Sequence, residues 1–282
     1  MELTALRHLG ESYGAWPRLA GQPGSAPLAA EDADLAALLA TFEPIGLTEL
    51  TGQALLNRSE LKYVMPQAQL PSILRQLRGS YRVLAVAGRR LSHYRTLYFD
   101  TPDLLLYRRH HNGVPDRYKV RAREYVDSHT AFFEIKHRTP NQRTLKSRMA
   151  TSHLLTNLGE QAEHFLADAC PYRAGDLQAA LWNYYSRITL VSKTRAERVT
   201  LDQDLTFAWG EDSVALPGVV VAEVKYEGSA TASEFVQLMR LSHVRGTSFS
   251  KYCVGISLLY PQVKHNKFKA KQRLVARLAQ GA

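Results

Sequence analysis

Arg117, Lys119, Arg121 and Arg123 recur at every second position of the segment DRYKVRAREY, with Tyr118, Val120 and Ala122 between them. In a β-strand, residues two apart share a face, so this spacing gathers the cations on one side and the apolar groups on the other. The pattern repeats. Arg58, Glu60 and Lys62 alternate in NRSELKYVM, Glu134, Lys136 and Arg138 in AFFEIKHR, and Glu223, Lys225 and Glu227 in VVVAEVKYEG. Tyr185, Arg187 and Thr189 alternate in NYYSRITLV, as do Arg198, Thr200 and Asp202 in ERVTLD. An E-x-K spacing occurs at Glu60/Lys62, Glu134/Lys136 and Glu223/Lys225. Carboxylates beside cations suit a metal-bound polyphosphate: carboxylates hold a divalent metal and the cations hold phosphate oxygens.

Two arrangements satisfy these strands. An open antiparallel sheet would turn its charged faces to solvent and lay its apolar faces on helices. A sheet closed into a barrel would turn the charges inward and form a polar, mainly cationic tunnel. The repeated mixing of Glu with Lys and Arg favours the barrel, because a solvated face would use Ser, Thr, Gln and Glu more freely.

The rest of the chain must position these strands. Residues 1–30 are rich in Gly, Pro and Ala and read as a flexible N-terminal arm. Residues 31–262 read as one domain and 263–282 as a basic C-terminal tail of helical pattern. Helices are expected over 32–42, over 67–78 through Leu70, Ile73, Leu74 and Leu77, over 176–185, and over 231–243 with Arg245-Gly246 as a stop. His110-His111 followed by Asn112-Gly113 reads as a surface hairpin turn. Asp100 reads as a strand-end turn residue and His137 as a structural residue on the apolar outer face.

Composition bounds the partners. The chain has 282 residues, 36 Lys plus Arg against 26 Asp plus Glu, and a formal net charge of +10. Such a basic chain expects a polyanion. Apolar residues make up 45% of it, enough for a sizeable core. No apolar run is long enough for a transmembrane helix, and the N-terminus lacks signal-peptide character. The two cysteines, Cys170 and Cys253, form no CxxC pair, which excludes a Cys-based zinc site and suits a cytoplasmic location. No P-loop or G-x-G-x-x-G is present. The cations lack aromatic interleaving and Trp16, Trp182 and Trp209 are scattered, so no specific nucleic acid is expected.

The ordered set SELKYVM, YRTLYFDT, RYKVRAREY, FFEIKHR, YYSRITLVS, ERVTLD, VVAEVKY and FSKYCVG resembles the VTC (vacuolar transporter chaperone) polyphosphate polymerase domain, of the CYTH or triphosphate tunnel metalloenzyme superfamily. The resemblance covers about residues 53–260. It implies an α+β fold, an antiparallel β-barrel forming a triphosphate tunnel with a charged interior, flanked by helices. It implies transfer of the γ-phosphate of ATP to polyphosphate with Mn2+ or Mg2+, and admits a membrane partner protein. Matched by motif, Lys62, Arg121, Arg123, Lys136, Arg187 and Lys251 are the expected catalytic residues. Arg58, Glu60, Lys119, Glu134, Lys146, Tyr185, Arg198 and Lys225 are the expected substrate-binding residues, Lys146 from a loop-like segment. Glu223 is the expected metal ligand. Polymerase members carry a further lysine three residues before the F-S-K lysine, where this chain has Ser248. Arg58 replaces the first Glu of the E-x-E-x-K motif of CYTH hydrolases, which places polymerase activity ahead of triphosphate hydrolysis. A non-catalytic binding module or sensor for polyphosphate or triphosphate compounds is the alternative.

Overall fold

The computed structural model describes residues 30–52, 59–141 and 143–281. The arm expected over 1–30, apart from Ala30, and the candidate Arg58 lie outside these residues. In chain order the elements are α1 (Ala30–Ala40), β1 (Glu43–Ile45), α2 (Leu47–Gly52), β2 (Ser59–Pro66), α3 (Leu70–Leu77), β3 (Tyr81–Leu84), β4 (Ser92–Asp100), α4 (Leu105–Asn112), β5 (Arg117–Tyr125), β6 (Thr130–Arg138), β7 (Thr144–Thr151), α5 (Glu160–Ala169), β8 (Gln178–Ser192), β9 (Glu197–Trp209), β10 (Asp212–Leu216), β11 (Val219–Tyr226), α6 (Glu234–Leu241), α7 (Lys251–Leu259) and α8 (Lys269–Gln280).

The main strands form one antiparallel sheet in the order β2-β11-β9-β8-β4-β5-β6-β7. β10 extends β9 as a hairpin, and β3 pairs with β8 and, in parallel, with β1. The two ends of this path, β2 and β7, do not pair with each other among the described residues. The sheet nevertheless curls: Lys136 on β6 lies within the fields of Glu60, Lys62 and Glu223 on β2 and β11, at the far end of the strand order. The result is an antiparallel, barrel-like tunnel, and the charged strand faces are its inside.

Alternation of apolar groups builds the outer layers. Tyr63, Met65, Ile188, Leu190, Val199, Leu201, Ala222 and Val224 are buried with Ile73, Leu77, Phe235 and Met239 of α3 and α6. Leu70, Ile73, Leu74 and Leu77 are all buried, as the one-sided spacing of α3 requires. On the other flank Val120, Ala122, Phe133 and Ile135 are buried with Ala162 and Leu166 of α5.

Several local expectations are corrected. Residues 176–185 are not an α-helix: Asp176 ends a single 3-10 turn and residues 178–185 open β8. This strand is buried on both faces over Ala180–Leu181 and Asn183–Ser186, so period-two alternation disappears and the apolar run imitates a helix. The Asn112-Gly113 pair is not a hairpin turn. It terminates α4, with Gly113 left-handed at φ 77° and its N–H donating to the carbonyls of Arg109 and His110. Lys146 sits on strand β7, not a loop. The basic tail folds as α8, whose Val275, Ala276 and Ala279 join a buried cluster with α7 and the inner faces of β2, β10 and β11.

That cluster shows where the tunnel ends. Val64, Leu181, Phe207, Val219 and Val221 belong to inner strand faces, yet they are buried against Tyr252, Cys253, Val254 and Ile256 of α7. Helices therefore flank the barrel outside and also plug one of its ends. A Cβ at Gly255 would meet Leu181 and Phe207 side-chain atoms at 2.6 and 2.7 Å, so only glycine lets α7 lie this close to β8 and β9.

Candidate functional site

Cross-strand register brings the interior charges together. Glu223 faces Lys62 and Thr200, Lys225 faces Glu60 and Arg198, Lys119 faces Lys136, Arg121 faces Glu134, and Arg187 faces Asp202. Three carboxylate-centred clusters result. In the first, Lys62 Nζ lies 2.8 Å from Glu60 Oε1 and 3.1 Å from Glu223 Oε2, and Lys225 Nζ lies 2.5 Å from the other Glu223 oxygen. Burial disfavours charge on both partners. Glu223 and Glu60 still raise Lys62, and Lys225 and Lys62 hold Glu223 well below the usual carboxylate range.

In the second cluster Glu134, 1% exposed, accepts from Arg121 Nε at 2.8 Å and lies 2.6 Å from its Nη2, with Lys146 Nζ at 2.5 Å and Arg123 at 4.0 Å. Burial opposes its charge, but Arg121, Arg123 and Lys146 outweigh burial and keep it ionised. In the third, Asp202, 3% exposed, accepts from Arg187 Nε and Nη2 at 2.5 and 2.8 Å and from Lys251 Nζ. Against the penalty of burial, Arg187 and Lys251 hold Asp202 at about 2. The forked Arg187–Asp202 pair fixes the guanidinium plane. Lys251 is the first residue of α7, so Asp202 also ties the plug helix to the barrel wall.

Other cations have no such partner. Lys119 and Lys136 form no ion pair among the described residues; Lys119 donates to Ser250 Oγ at 2.9 Å. Burial lowers both, reinforced for Lys119 by Lys62 and Arg121 and for Lys136 by Lys119 and Lys62, and Lys136 falls to about 8. Burial likewise brings Lys146 to about 8, although Glu134 opposes the fall.

Aromatic rings pave the β4–β8 wall. Tyr94 and Tyr185 stack at 4.9 Å between centroids; Arg123 and Arg187 lie over both rings and Lys251 over Tyr185. The Tyr185 hydroxyl and Thr200 Oγ1 are buried without a hydrogen-bond partner among the described residues, although both belong to inner faces. Arg198 lies toward the end of the barrel opposite α7, where its Nη2 donates to the Leu50 carbonyl of α2 at 3.2 Å. Ser248 is exposed and adds no cation.

The structure thus brings together Glu60, Lys62, Lys119, Arg121, Arg123, Glu134, Lys136, Lys146, Tyr185, Arg187, Glu223, Lys225 and Lys251, with Arg198 nearer α2. Asp202 is the central residue missing from the expected set. Its place on the same strand face as Arg198 and Thr200 was visible, but its pairing with Arg187 depends on β8–β9 register. The residues set aside are structural. Asp100 accepts from the backbone N–H groups of Thr101, Leu106 and Tyr107 and from the Tyr252 hydroxyl, anchoring α4 and α7. His137 stacks on Tyr118 at 4.1 Å and pairs with Asp116.

No group of three or more His, Cys, Asp or Glu side chains suited to a metal occurs among the described residues. Glu60 and Glu223 nevertheless converge on a single ammonium. That donor set fits a hard cation completed by phosphate oxygens, as Mg2+ is commonly held by one or two carboxylates plus substrate. No described helix is long and apolar enough to cross a membrane.

Comparison with known proteins finds no match among curated sequences. Similar solved structures include a Vibrio parahaemolyticus protein described as a candidate adenylate cyclase, 15% identical, with TM-score 0.44 and coverage of 71% of this chain and 97% of that one. A Bacillus halodurans protein of the same description is 15% identical, with TM-score 0.44 and coverage of 76% and 100%. A Hippeastrum adenylyl cyclase candidate described as having a dominant triphosphatase activity is 13% identical, with TM-score 0.44 and coverage of 70% and 94%. Residues 57–260, which carry the charged strands and the first residue of α7, match the VTC domain, and the chain belongs to that family.

Proposed function

We propose that this protein binds the phosphate chain of ATP and of inorganic polyphosphate in its tunnel and acts as a metal-dependent, polyphosphate polymerase-like phosphotransferase. One observation carries this: Lys119 and Lys136 lie half-buried side by side without carboxylate partners among the described residues, in an interior whose carboxylates are already occupied by other cations. Holding such like charges together is unfavourable unless an anion neutralises them. A phosphate chain supplies that charge in a form that fits a narrow channel.

Phosphoryl transfer needs positioning and charge stabilisation more than acid–base chemistry. Arg121, Arg123 and Arg187 offer planar forks to phosphate oxygens; Lys62, Lys119, Lys136 and Lys251 offer point charges. Tyr185 has a hydroxyl free to donate. A terminal oxygen of the acceptor phosphate attacks the γ-phosphorus, and the bond from that phosphorus to the β,γ-bridging oxygen breaks. ADP leaves with the electron pair. Glu223, with Glu60, would hold a Mn2+ or Mg2+ ion, which when bound reduces charge on the phosphate oxygens.

The test is incubation of the purified protein with ATP and Mn2+ followed by staining for polyphosphate, with Glu223→Ala as control. Chain product lost in the control supports the polymerase. Ser248, in place of a family lysine, favours a second function: a binding module without turnover, which would bind tripolyphosphate tightly and yield no product. Release of inorganic phosphate without chain growth would instead indicate a hydrolase.

A further inference from the structure

From Phe235 to Ala282 the sequence contains no aspartate or glutamate. Within that stretch α8 buries Gln272, Val275, Ala276 and Ala279 on one side. Lys269, Arg273 and Arg277, four residues apart, therefore form a single exposed row along the other side, each about 6 Å from the next along the axis. Lys264 and Lys267, also exposed, stand just before the helix start. None of these side chains forms an ion pair among the described residues, although ion pairs are frequent elsewhere on this surface.

The row also adjoins the start of β5, the strand that carries interior cations. Tyr107 of α4 donates to the Lys264 carbonyl, and His111 pairs with Asn266 at 2.7 Å. Lys267 Nζ lies 3.5 Å from the Cβ position of Gly113, in the turn that leads into β5. There Arg117 holds the Val114 carbonyl at 2.7 Å and begins the inner-face series that continues through Lys119, Arg121 and Arg123. His110 of the same helix feels Lys119, Arg117 and Lys136 together. Cations thus lie on both sides of the plugged end, Lys119 inside it and Arg117, Lys267 and the α8 row outside it.

We propose that Arg117, Lys264, Lys267, Lys269, Arg273 and Arg277 form an outer track that binds a long inorganic polyphosphate chain along the outside of the barrel. This rests on the phosphate-binding function proposed above. A linear polyanion matches a row of regularly spaced, unneutralised cations. A membrane matches it less well, because the exposed side of α8 carries no large apolar group to insert among lipids.

The test compares the wild type with a Lys267→Ala/Lys269→Ala/Arg273→Ala/Arg277→Ala variant, all exposed positions, against two probes: tripolyphosphate and polyphosphate of about 100 units. The track predicts that the variant loses roughly ten-fold or more in long-chain affinity and has a shallower salt dependence. Tripolyphosphate affinity is retained, and a charge-conserving Lys267→Arg/Lys269→Arg/Arg273→Lys/Arg277→Lys variant preserves long-chain binding. Equal long-chain affinity in variant and wild type overturns the track. So does a variant that loses binding only to phosphatidylserine-containing vesicles, which would make this face a lipid surface. A wild type that binds long chains but not tripolyphosphate would refute the tunnel and leave the track standing.

Discussion

Filling the tunnel with a phosphate chain should draw protons into the protein at mildly alkaline pH. Lys136 and Lys146 each sit at about 8 in the unliganded protein, the first because burial and Lys119 oppose its charge, the second chiefly through burial. A bound polyphosphate reverses that balance and keeps both ammonium groups charged. At pH 8.5 each is about one-quarter protonated when empty, so filling the site takes up roughly 1.5 protons, against about 0.2 at pH 7. Affinity for tripolyphosphate should then fall by up to about ten-fold per lysine between pH 7.5 and 9. Stability of the empty protein should change in the opposite direction. Both folded values lie below the ordinary lysine value of 10.5, so between pH 8 and 10.5 the unfolded chain binds more protons and these two groups make stability rise with pH. The assay is titration calorimetry of tripolyphosphate at pH 7 and 8.5 in buffers of different ionisation enthalpy, alongside the Lys136→Arg/Lys146→Arg variant, which should abolish the uptake while retaining binding. Uptake below about 0.3 protons at pH 8.5 in the wild type would refute the placement of these lysines around the phosphate chain.

Three further outcomes follow from the same geometry. Tyr185→Phe removes a buried hydroxyl that has no partner, so thermal stability should stay within about 0.5 kcal/mol of wild type while tripolyphosphate affinity falls up to roughly ten-fold, by calorimetry. Asp202→Asn leaves Arg187 and Lys251 without their shared carboxylate; denaturant titration should show a loss of about 3 kcal/mol, and phosphate transfer should fall more than tripolyphosphate affinity because the cations are misplaced, not removed. Gly255→Ala forces a methyl group against Leu181 and Phe207, and a loss of about 1–3 kcal/mol in denaturant titration is expected where α7 must retreat from the barrel wall.

Much of this molecule was legible without its coordinates. Period-two charge in RYKVRAREY and its companion segments identified inward-facing strands, because a pleated strand leaves alternate side chains no choice of face. The apolar spacing of α3 and the positions of Arg121, Glu134, Lys136, Arg187 and Glu223 followed from the same local geometry. Helix and strand were confused over 176–185 because burial on both sides erases alternation, and both sides are buried only once α7 has entered the barrel. The Asn-Gly pair at 112–113 is chemically suited to a hairpin and to a helix end alike, and the contacts of α4 with β5 and α7 selected the second.

Sequence by itself therefore determined which side chains share a strand face, the excess of cations there and the family to which the chain belongs. Tertiary structure alone decided how those faces meet. The register of β8 on β9 gives Arg187 its carboxylate in Asp202. The curl of the sheet sets Lys136 against Glu60 and Glu223 from its far end. The docking of α7 carries Lys251 into the interior and seals one end behind it. The physical reason is that local periodicity acts within a few residues of chain. Burial and Lys119, its partner across the β5–β6 hairpin, lower Lys136 to about 8, while Glu60, Lys62 and Glu223, dozens of residues away, reach it only through the curl of the sheet.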